Sequence, residues 1–388
     1  MRIAVLAYTF YDSDSRVMRY AEALAERGDH VDVFALNAGL SPKYEVMRGV
    51  NLFRIQQRDL NERHKYSYLF RLMRFFFKSM LVLTRKHISK PYDLVHVHSV
   101  PDFEVFATLL PKLRGARVIL DIHDIVPEFY ASKFNKPYNS MVYKTLINVE
   151  RVSAMFANHV IISNHLWRDL LLSRSVSNQK CSVVLNYPDQ SIFFKRAEKV
   201  ENSKVVMIYP GSLNFHQGLD IAIRAFSKIK PSVPNAEFHI FGEGQERPAL
   251  LKLINDLGIG NNIRLRNSIS LFEVADVMRH CQIGVVPKRN DPFGGQAFST
   301  KILEFMCVGV PVIAAATNID KHYFNDAVVR FFEPENEKDL ANAMLELIQN
   351  PGLRDTLAIT ASKFVEDFTW GKRKHEYLDL VDRLVNRR

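Results

Sequence analysis

The chain has 388 residues, 47% of them hydrophobic, and its 52 Lys and Arg outnumber 42 Asp and Glu for a net charge of +10. That length allows two to three domains with substantial cores. Cys181, Cys281 and Cys307 each lie in or beside an apolar run without metal-ligand spacing, which excludes a disulfide framework and favours a reducing compartment.

The opening MRIAVLAYTF lacks the long apolar segment and small-residue cleavage site of a signal peptide, and residues 2–7 read as a first strand. No run approaches the length that spans a bilayer. A cytoplasmic protein is therefore expected, soluble or peripheral at the inner face of the cell membrane. Residues 12–16 lead into a helix with the stripe Val17, Tyr20, Ala21 and Leu24 and a C-terminal Gly28. A second strand spans 31–36. This βαβ opening has no G-x-G-x-x-G, so a dinucleotide enzyme is disfavoured. Arg16 either reaches an anion or forms a salt bridge at the helix start.

Residues 64–87, HKYSYLFRLMRFFFKSMLVLTRKH, form a helix with Leu69, Leu72, Phe76, Met80 and Leu83 on one face, widened by Phe70, Phe75 and Phe77. Arg63, Lys65, Arg71, Arg74, Lys78, Arg85 and Lys86 surround it, with Glu62 the nearby acid. Such a helix suits an anionic membrane surface, with Arg71, Arg74, Phe75, Phe76 and Lys78 in contact. Alternatively the aromatic stripe packs on its own sheet and the cations are solvated. Nucleic acid is disfavoured, because the cations sit beside aromatics on one helix rather than along a groove.

A strand over 94–97, a helix over 102–112 and a strand over 118–121 follow. Next comes Asp121-Ile-His123-Asp124-Ile-Val-Pro127-Glu128, polar residues where open α/β sheets bind ligands. His123 can polarise a ligand hydroxyl, and Asp124 and Glu128 can orient further ligand hydroxyls. A helix over 143–157, a strand over 159–163, a helix from Asn164 and a strand over 181–185 close the first half. The polar run 195–204 reads as linker.

The second half restarts with a strand over 205–209 followed by Pro-Gly211-Ser212 and, further on, His216-Gln217-Gly218 before a helix. A strand over 237–241 ends in Gly242-Glu-Gly244, where missing side chains let a ligand approach. A strand over 263–266 and a helix from Leu271 lead to the most informative stretch, IGVVPKRNDPFGGQAFSTKILEFMCVGVPVIAAA over 283–316. A strand breaks into a Gly-rich loop, turns helical at Ser299 and Thr300, and ends in a strand over 310–315. Ser and Thr cap such helix starts. The free N–H groups and dipole there make a seat for phosphate, on which Lys288 and Arg289 converge. Glu304, one turn further, can accept hydrogen bonds from ribose hydroxyls. A strand over 328–332, a helix over 339–349 and a final helix to about residue 384 complete the chain.

Gln296-Ala-Phe-Ser-Thr-Lys-Ile-Leu-Glu304, followed by Met306, Gly309, Pro311 and Val312, resembles the Glu-x7-Glu signature of GT-B glycosyltransferases of the family-4, retaining type. The likeness extends over nearly the whole chain, through Asp14-Ser-Arg16-Val17, LDIHDIVPE, Asn186-Tyr-Pro-Asp189 and Phe368-Thr-Trp370. It implies an α/β protein of two Rossmann-like, doubly wound domains facing across a cleft. Residues 1–190 would bind acceptor and residues 200–370 the nucleotide-sugar donor, with a last helix, 371–388, packing back on the first domain. It further implies that Glu304 binds the ribose, that His123 faces the transferred sugar, and that Gly211, Ser212, Gln217, Gly244, Phe298, Ser299 and Thr300 line the donor site. Many members carry Arg at the place of Ser212 and Lys at that of Gln217, a pair that clamps the diphosphate. Here Lys288, Arg289 or Lys301 would substitute.

The first carboxylate of the signature is Gln296, and an amide is neither nucleophile nor general base. If the enzyme is retaining, front-face transfer remains, in which the departing diphosphate takes the acceptor proton and Gln296 holds sugar hydroxyls. No Asp-x-Asp is read as a metal site, and no metal or other cofactor is expected. The expected reaction is hexosyl transfer from a UDP- or GDP-linked sugar to a glycan, lipid-linked acceptor, in surface polysaccharide or lipopolysaccharide biosynthesis. The alternatives are a nucleotide-sugar-binding protein impaired in catalysis and a GT-B epimerase.

Overall fold

The computed structural model describes residues 1–39, 41–58, 65–134, 136–195 and 204–386, with side chains of the long helix described from residue 69 onward. Most of the expected linker over 195–204, and Glu62, Arg63 and the side chain of Lys65, lie outside the described residues. The chain divides into one compact unit, Met1–Asn186 with Lys374–Arg388, and a second, Tyr187–Arg373.

The first unit is built on a sheet of β1 (Arg2–Ala7), β2 (His30–Asn37), β3 (Tyr44–Met47), β4 (Val50–Gln57), β5 (Leu94–His98), β6 (Arg117–Ile122), β7 (His159–Ile162) and β8 (Cys181–Val183). Its order is β3-β4-β2-β1-β5-β6-β7-β8, parallel except that β3 runs antiparallel to β4. The central strands read as unbroken apolar runs because both faces are covered. Helix Ser15–Glu26 buries Val17, Tyr20, Ala21 and Leu24 as expected. Asp14 caps it, accepting from the Val17 N–H, and Gly28 takes the left-handed φ of +94° just beyond its end.

The expected helix over 102–112 is instead a 3-10 segment, Asp102–Thr108, followed by the short helix Leu109–Leu113. Pro111 has no N–H to offer the carbonyl four residues back, so a continuous α-helix cannot form there. Helix Lys65–Ser89 is longer than expected and turns a different seam inward: Leu72, Phe75, Ser79, Leu83 and His87 are buried. Phe75 is therefore a core residue, edge-on to Tyr8 at 5.1 Å, and not a membrane contact. Phe76 is partly covered beside Phe103, and Lys78 donates to the Ile55 carbonyl. Leu69, Phe70, Phe77, Leu81 and Ile88 stay exposed alongside Arg74. The helix carries more apolar residues than one seam can hide. No helix among the described residues is long and apolar enough to cross a membrane.

The second unit contains β9 (Val206–Pro210), β10 (Glu237–Phe241), β11 (Ile263–Arg266), β12 (Ile283–Val286), β13 (Val312–Ala315) and β14 (Arg330–Phe332), all parallel, in the order β11-β10-β9-β12-β13-β14. Counted within the unit this is 3-2-1-4-5-6, the doubly wound order with a reversal between β9 and β12. Helix Thr300–Val308 presses Phe305 onto β12, where a Cβ on Gly284 would come within 2.6 Å of the ring. Glycine at 284 is what allows that approach. The last helix, Trp370–Asn386, buries Tyr377 and Val381 in the first unit, where Arg27 donates to the Leu378 carbonyl and pairs with Asp382.

Candidate active site

Ligands of open α/β sheets sit past the carboxyl ends of the strands at the reversal of strand order. In the second unit that position lies between the end of β9, at Pro210 and Gly211, and the end of β12, at Pro287 and Lys288. Lys301, in the first turn of helix Thr300–Val308, runs directly over Gly211, where a Cβ would meet its Cε at 2.3 Å and its Nζ at 2.9 Å. The ammonium is 5.4 Å from the centroid of the Tyr209 ring, and no carboxylate among the described residues pairs with it. Burial pushes its pKa down, against the attraction of Glu304. The Tyr209 hydroxyl lies 2.9 Å from both the Ser212 carbonyl and Gln217 Oε1, fixing the loop beneath.

The other two expected cations are committed elsewhere. Buried Lys288 pairs with Asp320 at 2.9 Å and donates to the Ala297 carbonyl at 2.7 Å. Arg289 Nη2 donates to both Asp220 oxygens at 2.8 and 2.7 Å, and its guanidinium lies over the Phe215 ring at 4.1 Å. Both brace the loop and are not its anion clamp, since their charges are already matched by carboxylates. Ser299 occupies the N-cap position of helix Thr300–Val308 but makes no side-chain cap bond, so its hydroxyl leaves the first-turn N–H groups uncapped. Thr300 and Glu304 on this helix are half-buried, as is Gln296 in the preceding turn. Phe298 is partly buried, edge-on to Tyr323 at 4.9 Å and beside Phe324, packed against the hydrophobic core. The space a Cβ would take at Gly244 is filled by the Leu213 backbone at 2.2 Å, so glycine here admits the close approach of the loop that follows β9.

In the first unit the order reverses between β1 and β5, and a buried polar cluster lies beside that point. His96 and His98, alternate residues of β5, share one face, and His98 sits opposite Asp121 of β6. His123 follows two residues on, its Nε2 2.9 Å from His98 Nδ1. Arg16 does not face an anion from outside. Its Nε and Nη2 donate to the two Asp121 oxygens at 2.9 and 2.7 Å, and Nη1 donates to the Val184 carbonyl. Burial alone would raise the Asp121 pKa, but the Arg16 guanidinium holds it well below the usual carboxylate range. Burial pushes His96 and His98 down, leaving neutral imidazoles. Glu128 also points inward, accepting from the Tyr143 hydroxyl and both Arg174 Nη atoms in a network shared with Glu150, so it is not an acceptor ligand. Asp124 is only partly covered, and burial raises its pKa. The sequence patterns missed these partners because Arg16 and Asp121 stand 105 residues apart.

His96, His98 and Asp121 are the group among the described residues whose ligating atoms fall within 4.8 Å of one another. Both Asp121 oxygens already face the Arg16 guanidinium, whose charge opposes a second cation. Asp12 and Asp14 do stand at Asp-x-Asp spacing, but Asp14 caps a helix and Asp12 pairs with Arg54.

Residues 190–364 match the model of glycosyl transferases group 1, and residues 13–186 that of the glycosyl transferase 4-like domain. An uncharacterized glycosyltransferase of Methanocaldococcus jannaschii is 32% identical over 307 residues, spanning 72% of this chain and 83% of the relative. Sucrose-phosphate synthase from Thermosynechococcus elongatus has a TM-score of 0.82 at 18% identity over the full length of both chains. Anabaena HepE, solved in complex with UDP-glucose, has a TM-score of 0.74 at 15% identity, covering 98% of this chain and all of the other. Parallel doubly wound sheets, the helix start beside Gly211 and these matches agree: the chain belongs to the GT-B glycosyltransferases of family-4-like type.

Proposed function

We propose that the protein moves a hexosyl group from a UDP- or GDP-linked sugar to a glycan acceptor, with retention at the anomeric carbon. The observation that carries this reading is Lys301 lying over Gly211 at the start of helix Thr300–Val308, a cation paired with no carboxylate among the described residues, beside uncapped helix N–H groups. That pairing suits a diphosphate. UDP-glucose in the structure of the HepE neighbour supports a nucleotide sugar as donor.

Lys301 and the first-turn amides take up the charge that grows on the diphosphate as its bond to the anomeric carbon breaks. Glu304 accepts from the ribose hydroxyls, and Gln296, an amide, holds sugar hydroxyls. His123 donates to the transferred sugar, and Asp124 orients the acceptor hydroxyl. That hydroxyl oxygen forms the new bond on the face the diphosphate leaves, and its proton passes to a diphosphate oxygen. The chain's own residues supply the charge compensation, without a metal. The acceptor is lipid-linked and part of a surface polysaccharide, which gives the exposed Phe70, Phe77 and Arg74 a role at the inner face of an anionic membrane.

A thermal-shift panel of UDP and GDP sugars tests the donor, since a ligand of the folded state raises apparent stability. Glu304→Ala should abolish the shift and lower turnover about 10²-fold or more. An unchanged shift removes the ribose assignment. Gln296 favours a second reading, a donor-binding protein without catalysis, for which tight binding without transfer to any acceptor would be decisive.

A further inference from the structure

We propose that His98 is a positioning residue that holds His123 as its Nδ1–H tautomer, making that N–H the donor to the transferred sugar. The functional half of this inference rests on the glycosyltransferase reading above. His98 is 2% exposed, clamped between the His96 ring at 4.2 Å, the Tyr20 ring at 5.8 Å and Asp121. The shortest contact of its ring nitrogens among the described residues is to His123, Nδ1 to Nε2 at 2.9 Å, with the rings nearly perpendicular.

Between two neutral imidazoles one nitrogen donates and the other accepts. His98 Nε2 is buried and meets no hydrogen-bond partner among the described residues. A proton placed there would be a buried donor without an acceptor, an unfavourable arrangement. On Nδ1 the same proton meets His123 Nε2 at 2.9 Å, with Asp121 Oδ2 behind it at 3.3 Å. His98 therefore donates from Nδ1. His123 Nε2 accepts, which places the ring proton of His123 on Nδ1. Asp121 Oδ2 lies 3.4 Å from His123 Nε2, but it already accepts from Arg16 Nε and lies further than the His98 donor. The His123 side chain is 22% exposed, so the remaining ring N–H belongs to the one histidine of the three that a ligand can reach.

The assignment is tested on the full chain with ¹⁵N-labelled histidine, reading the His123 tautomer from long-range nitrogen–proton correlations. The wild type should show Nδ1–H. His98→Asn, whose amide can donate from nearly the same place, should keep it, and His98→Leu should lose it. With the nucleotide sugar found by the binding panel, His98→Leu should lower kcat about 10- to 100-fold, the range of lost outer-shell partners, with donor KM within about twofold. His98→Asn should restore most of this. In a His123→Ala background His98→Leu should cost nothing further. An Nε2–H tautomer in the wild type, or an undiminished loss in that background, overturns the proposal. If the wild type shows the Nδ1–H tautomer but transfers no sugar, the transferase reading fails and the hydrogen-bond assignment stands.

Discussion

Lys301→Met keeps an apolar stem over Gly211 and removes the charge. It should weaken nucleotide-sugar binding about 10- to 100-fold, the worth of a charge-assisted hydrogen bond of about 1.5–3 kcal/mol, as read by titration calorimetry. Gly211→Ala should do the same from the other side, because its methyl group takes the space of the Lys301 Cε, the movable end of a flexible chain. The two losses should not add, since each removes the same contact. Burial lowers the Lys301 pKa, so the ammonium that binds a diphosphate is lost as pH rises through that depressed value. Wild-type donor affinity should therefore fall on the alkaline side while Lys301→Met shows no such fall. Equal slopes would remove Lys301 from the site. The stretch 283–316 showed in advance where a phosphate would sit, from its strand, Gly-rich loop and helix start. It did not show which cation is free, because Asp320 and Asp220, which neutralise Lys288 and Arg289, lie 32 and 69 residues from them in sequence.

Between the long helix Lys65–Ser89 and the segment Asp102–Thr108, the Glu104 carboxyl is fully buried without a hydrogen-bond donor among the described residues. Ser79 is beside it, but its hydroxyl donates to the Phe75 carbonyl. Burial raises the Glu104 pKa to about 8. The folded chain thus keeps a proton that the unfolded chain releases from about pH 4.5 upward, so stability falls as pH rises from there to about 8. Glu104→Gln is neutral at every pH and should abolish this slope. Its Tm should match the wild type near pH 5 and exceed it at pH 8 by several degrees, for a difference on the order of 3 kcal/mol. A wild-type Tm independent of pH, with the same value in the variant, would mean that water or a partner satisfies the carboxyl. Elements with strong periodicity, such as β1, helix Ser15–Glu26 and β12, were legible from the sequence to within a residue or two. Two classes were not. Edge strand β3 and its neighbour β4 mix polar and apolar residues because they are partly solvated, and burial along β4 alternates between positions. The inward seam of helix Lys65–Ser89 was misassigned because Phe75, Phe76 and Phe77 are consecutive, and only the tertiary neighbours Tyr8 and Phe103 decide which turns in.

At the scale of the molecule, an excess of ten positive charges coexists with apolar side chains left uncovered on one long helix. Charge alone attracts any polyanion, whereas exposed Phe70 and Phe77 beside Arg74 gain only where an apolar layer lies under an anionic one. Co-sedimentation with vesicles separates the two. Binding should require anionic lipid, weaken with salt because the Debye length shortens, and persist in part at high salt through the aromatics. Phe70→Ala with Phe77→Ala should lower the partition coefficient about 10-fold or more, each ring contributing about 1.5–3 kcal/mol when fully buried. Phe75→Ala should act differently: it opens a cavity against Tyr8 and lowers Tm without a specific effect on lipid partition. No binding to neutral or anionic vesicles would leave the exposed phenylalanines without a membrane role, and equal binding to both would leave the positive charge without one. Vesicle binding that vanishes entirely at high salt would assign the charge to the surface and the rings to some other partner.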